Sequence, residues 1–162
     1  MKSVVSVLQV VLIFAIAVSL IILASPWVYS SLKKSFELSE FQTIRGQFEL
    51  CNDKIVETAR TGTKNSCVFS ISKGILSIES DGIYYKLTSS AEICDEHDWV
   101  EINPDKHLWQ SCFITDSMRT YQMKWSSPDE IIFQSSIGSG NIIEITRFSI
   151  NETSTTLNVE FK

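Results

Sequence analysis

The chain has 162 residues, 44% of them hydrophobic, and a formal net charge of −5. Its first 34 residues hold three lysines and no acidic side chain, so residues 35–162 carry −8. An acidic stretch of that size excludes nucleic acid as a natural partner and is not drawn to an anionic membrane surface.

From Val4 to Val28 there is no charged side chain over 25 residues. A helix of that length spans roughly 37 Å, against about 30 Å for the hydrocarbon core of a bilayer. A transmembrane helix is therefore predicted over residues 4–30. The rival is a cleaved secretory signal with Val28-Tyr29-Ser30 as its cut site, but the apolar part of such a signal is usually about 7–15 residues long. Lys2 and the terminal amine flank one side, Lys33 and Lys34 the other, so the positive-inside bias is nearly balanced. The cysteines decide the orientation. Cys51, Cys67, Cys94 and Cys112 all lie beyond the apolar run, and an even count fits two disulfides in an oxidising compartment. Asn151-Glu152-Thr153 is an N-glycosylation sequon, with Asn151 as the acceptor.

The helix is expected to run on past the membrane, through residues 31–62. Phe41, Ile44, Phe48, Cys51, Ile55 and Ala59 recur at steps of three or four, one face of an α-helix. Glu37, Glu40, Arg45, Asp53, Lys54, Glu57 and Arg60 are left for the wet side. Gly62 suits a left-handed residue at the helix end. Pro26 is expected to kink the helix, because it removes a backbone donor and crowds the preceding turn.

From Asn65 the period changes to two. Strands are predicted at 68–71, 75–78, 83–87, 99–102, 119–125, 131–135, 142–150 and 155–161. Ser72-Lys73-Gly74 and Ser80-Asp81-Gly82 supply turns, and residues 151–154 the last hairpin. Pro104 and Pro128 fall between strands. The expected class is α+β: a long N-terminal helix, apolar then amphipathic, packed on an antiparallel β-sandwich or curled sheet spanning residues 63–162.

A long helix of this kind followed by a small β-domain resembles a type IV pilin. The Gly-Phe-Thr-Leu-x-Glu start of bacterial pilins is absent. The similarity is closer to archaeal type IV pilin-like proteins, in which a very short basic leader directly precedes the apolar helix. Met1-Lys2-Ser3 before Val4 has that form, with Ser3 where the family more often has Gly or Ala. Gln9 matches a polar residue found early in such helices. Phe14-Ala15-Ile16-Ala17-Val18-Ser19-Leu20, Pro26-Trp27-Val28-Tyr29 and Glu57-Thr58-Ala59-Arg60-Thr61-Gly62 also look like that family. The resemblance covers about the first sixty residues; over the β-domain it is architectural only.

The resemblance implies that a prepilin peptidase removes residues 1–3, with Lys2, Ser3 and Val4 forming the processing site. The helix, with Val5, Leu8, Gln9, Leu12, Ala15, Ser19, Pro26 and Trp27, then waits in the membrane and assembles with copies of itself or other pilins. Small residues (Ala15, Ala17, Ser19, Ala24, Ser25) let helices approach closely. They are also ordinary in any membrane anchor.

Chemistry is sparse. Cys94, His97, His107 and Cys112 have spacings that zinc sites use, and Asp95, Glu96 and Asp98 could ligate a harder ion. The favoured reading is a solvated loop closed by a Cys94–Cys112 disulfide, which would contribute roughly 3 kcal/mol. Cys51–Cys67 would then tie the helix to the first strand, although four cysteines allow three pairings. No serine sits in a Gly-x-Ser-x-Gly elbow, and Gly138-Ser139-Gly140 lacks the lysine of a phosphate loop. Neither a cofactor nor an enzymatic activity is expected. Tyr84, Tyr85, Trp109, Tyr121 and Trp125 offer a binding patch, unless half of each pair faces the core of a sheet.

The leading expectation is a pilin subunit, major or minor, of an archaeal type IV pilus-like filament at the cell surface. The alternative is a single-pass anchored, disulfide-stabilised β-domain that binds an extracellular ligand or partner. A metal-dependent ectoenzyme rests on the two histidines alone.

Overall fold

The computed structural model describes the backbone of residues 2–79, 81–135 and 140–162, and the side chains of these except residues 2–8 and 135. The side chains of Lys2, Ser3, Val4, Val5 and Leu8 thus lie outside the described residues, as do Gly138 and Ser139.

One helix, α1, runs Lys2–Thr61 and continues through Pro26 without interruption. It is followed by β1 (Asn65–Val68), β2 (Ile75–Glu79), β3 (Gly82–Ser89), β4 (His97–Asn103), β5 (Leu108–Thr115), β6 (Met118–Ser126), β7 (Ile131–Ser135), β8 (Ile142–Ile150) and β9 (Thr155–Phe161). The chain divides into two compact units, Met1–Phe36 and Glu37–Lys162.

In the second unit the strands form a four-stranded sheet, ordered β1-β8-β9-β7, and a five-stranded sheet, ordered β2-β3-β6-β5-β4. The class is α+β, as the change of period predicts. Among the described residues all pairings are antiparallel but one: β7 runs parallel to β9. That corrects the expectation of wholly antiparallel sheets. A second correction concerns the first strand, which occupies Asn65–Val68 rather than 68–71. It pairs with β8, while β2 pairs with β3, so residues 69–74 carry the chain from one sheet to the other instead of closing a hairpin.

The core follows the predicted periodicities. In α1 the buried positions include Ile44, Phe48, Cys51 and Ile55, with Phe41 and Ala59 partly buried beside them. On β3 and β6 alternate residues face inward: Ile83, Tyr85 and Leu87, and Tyr121, Met123 and Trp125. Ile143 and Ile145 of β8 and Leu157 and Val159 of β9 do the same for the other sheet. Helix and sheets meet through rings. Phe48 packs edge-on against Phe69 with centroids 5.1 Å apart. Trp125 of one sheet stacks on Phe133 of the other at 5.2 Å. Fully burying a side chain such as Phe or Leu contributes about 1.5–3 kcal/mol, so Ile44, Phe48 and Ile55 each add a term of that order to the core.

The end of α1 is capped by sequence-distant charge. Gly62 takes φ +74°, and its N–H donates to Thr58 O at 2.9 Å. The Arg147 guanidinium donates to the carbonyls of Ala59 and Arg60 at 3.3 and 3.2 Å. A cation there satisfies carbonyls that have no partner within the helix and complements the negative end of the helix dipole. The β5–β6 hairpin closes in two residues, Asp116 and Ser117, both left-handed at φ 47° and 67°. That is the conformation of a type I′ turn, whose twist matches the strands it joins.

Candidate functional site

The first unit is the apolar stretch of α1. Leu12, Phe14, Ile16, Leu20, Ile21, Leu23 and Trp27 are all exposed. The helix is long and apolar enough to cross a membrane, and none of that span is buried. Two of its hydroxyls are satisfied within the helix: Ser19 Oγ donates to Ala15 O at 2.8 Å and Ser25 Oγ to Ile22 O at 3.0 Å. A polar group with no partner in hydrocarbon costs several kcal/mol, so this bonding suits lipid. Val11, Leu12, Ala15, Ile16, Ser19 and Leu20 border one shallow apolar depression along the helix. Ala15 and Ser19, four residues apart, are its small members. Gln9 is exposed.

In the second unit two carboxylates assigned to the wet side of α1 prove to be structural. Glu37 is buried. Its carboxylate accepts from Lys73 Nζ at 3.2 Å and from Ser89 Oγ at 2.5 Å. Glu40, one turn on, grips the 72–74 turn. It accepts from the backbone N–H groups of Ser72 and Lys73, each at 3.1 Å, from the Ser72 hydroxyl, and from Tyr85 Oη at 2.9 Å. Gly74 is needed beside this clamp, because a Cβ there would run into the Tyr85 ring. Burial pushes the Glu40 carboxyl up, but the Ser72 hydroxyl, the two backbone donors and Tyr85 together outweigh it and hold it below its ordinary value. Burial foremost, and then the bond to Glu40, pushes the Tyr85 phenol well above its ordinary range.

The four cysteines form two bridges, Cys51–Cys67 and Cys94–Cys112. The first joins α1 to β1. The second closes a segment that is not the solvated loop expected. It holds β4, a 3-10 turn at Pro104–Lys106 and the start of β5. His97 opens β4, where its Nδ1 lies 2.8 Å from Asp98 O. His107 ends the 3-10 turn in a left-handed conformation. With both sulfurs in a disulfide, the thiolates of a zinc site are gone. No group of three or more His, Cys, Asp or Glu able to hold a metal occurs among the described residues. Asn151 is exposed in the β8–β9 hairpin, where its N–H donates to Ser154 O at 2.8 Å.

The aromatic patch divides by strand alternation. Tyr85, Tyr121 and Trp125 are core residues. Tyr84 and Trp109 point to the other face of the five-stranded sheet and are half-buried there, with Trp99 beside Tyr84 at 6.2 Å. Trp99 was missed as a patch member; its signal is the alternation along β4, which a register shift between His97 and Val100 obscures. Neither a protein-family model, nor a curated protein, nor a solved structure matches this chain.

Proposed function

We propose that the chain is a structural subunit, major or minor, of an archaeal type IV pilus-like filament, assembled through its N-terminal apolar helix. The observation that carries this reading is α1 itself. One unbroken helix exposes apolar side chains all round in its first half, then buries a regular stripe in its own domain. A helix apolar on every face can exchange lipid for neighbouring helices, because packing and not hydrophobicity decides that choice. In this reading a prepilin peptidase removes the short leader, the helix waits in the membrane, and the disulfide-bonded β-domain decorates the filament surface. The domain requires an oxidising compartment, which two bridges and the apolar helix together support.

The mature N terminus tests it. Mass spectrometry of the chain from native membranes or filaments is expected to find a start at Val4. A start at Met1, or one near Ser30, overturns the reading. A membrane-anchored binding domain is the second reading, favoured by the half-buried rings of Tyr84, Trp99 and Trp109. Filaments that contain this chain in electron micrographs would count against it.

A further inference from the structure

The face of an antiparallel sheet turned away from the core is ordinarily polar. On the outward face of β3, β6, β5 and β4, three aromatic rings gather among polar neighbours such as Lys86, Thr120 and Gln122. Tyr84 of β3 stands opposite Lys124 of β6, and Lys124 stands opposite Trp109 of β5. Trp99 of β4 meets Tyr84 edge-to-face, with an interplanar angle of 81°. These four side chains and Ser126 line a groove of about 310 Å³. At one end, Lys124 Nζ donates to Asp81 Oδ2 at 2.7 Å, and Tyr84 Oη donates to the same oxygen at 2.8 Å. The bond from Lys124 holds the Asp81 carboxyl below its ordinary range.

We propose that this groove binds a neutral pyranose sugar, one or two rings in length. The argument is chemical. Trp99 and Trp109, with no core to fill, present flat apolar walls, and a pyranose carries C–H faces that lie against such walls. Its vicinal hydroxyls need a donor and an acceptor held side by side. Asp81 accepts and Lys124 keeps donors to spare, because an ammonium has three. Charged ligands fit less well. The charge of Lys124 is already balanced by Asp81, so an anion gains little. The position over the Tyr84 ring is already taken by Lys124, 5.1 Å from the centroid, which leaves no empty cage for a cation. The volume lies at the small end of the roughly 300–1,000 Å³ typical of ligand sites, which limits the length bound. The site does not depend on the filament reading.

The test uses the full chain in a detergent without a sugar headgroup, in a Trp27→Phe background. Tryptophan fluorescence is followed during titration with the methyl glycosides of glucose, galactose, mannose and N-acetylglucosamine. Choline chloride and inorganic phosphate serve as charged comparators. At least one glycoside is expected to give a saturating shift that added salt does not weaken. Trp109→Ala and Asp81→Asn are each expected to weaken it by about tenfold or more, as loss of a central anchor does. If Trp109→Ala fails to fold by circular dichroism, Asp81→Asn decides. Absence of saturation with all four glycosides overturns the proposal, as does an undiminished response in Asp81→Asn, or saturation by choline or phosphate instead.

Discussion

Residues 9–36 of α1 expose Leu, Ile, Val and Phe, whereas residues 37–61 bury a carboxylate, Glu37, at 3% exposure. The backbone is one helix throughout, so propensity does not separate the two stretches. The surroundings do. Apolar side chains left exposed on all sides have their complement outside the chain. The buried acid has its complement inside it, in Lys73 and Ser89, whose bonds offset its cost of burial. Each stretch breaks the usual rule of apolar inside and charged outside, and each breach points to what the stretch is built to meet.

Substitutions can break or sharpen this contrast. Phe48→Ala, in the second stretch, empties a fully buried site and is expected to cost about 3–5 kcal/mol of domain stability in urea unfolding of the full chain. Glu40→Gln is expected to cost less, about 1.5–3 kcal/mol at pH 7, the range for hydrogen bonds to a charged group. Its pH dependence is distinctive. The folded carboxyl lies below its ordinary value of 4.5, so the unfolded chain takes up the proton more readily. The contribution is complete above about pH 4.5 and is lost as pH falls through the lower folded value. The gap between wild type and Glu40→Gln is thus expected to narrow in acid; a constant gap would show that the clamp does not depend on charge. Ile16→Ala, in the first stretch, is expected to change domain unfolding by no more than about 0.5 kcal/mol, as exposed positions do. A loss comparable to that of Phe48→Ala would erase the distinction.

Much of the helix was legible in the sequence because its signal is local. The steps from Phe41 to Ala59 name the buried face, and Gly62 marks the end. The strand signals from Ile75 onward were equally local. β5 was not legible. Its inward row includes Gln110, whose side chain takes the Tyr121 hydroxyl, and its outward row includes the fully buried Ser111, so neither row reads as apolar. The roles of Glu37 and Glu40 were hidden for a different reason. Their partners lie 32 to 52 residues away, and no spacing rule on a helix reaches that far. The parallel β7–β9 pair was also out of reach, since it depends on β8 entering between them in sequence but not in space. For the candidate site, composition showed the aromatics, but only the register of β3, β6 and β5 sorts those facing outward from those in the core.

The two disulfides also have a mechanical consequence. If tension is applied to this chain through its ends, the stretch between Cys51 and Cys67, 16 residues apart, cannot be drawn out. Neither can the stretch between Cys94 and Cys112, 18 residues apart. At about 3.3–3.6 Å per residue, roughly 110–120 Å of contour is withheld from extension. The first of these stops sits within α1 itself, where a pull along the helix passes into the first strand through a covalent bond rather than through packing alone. Under load, the β-domain would give up less slack than its length suggests, although the strands beyond Cys112 lie outside both bridges.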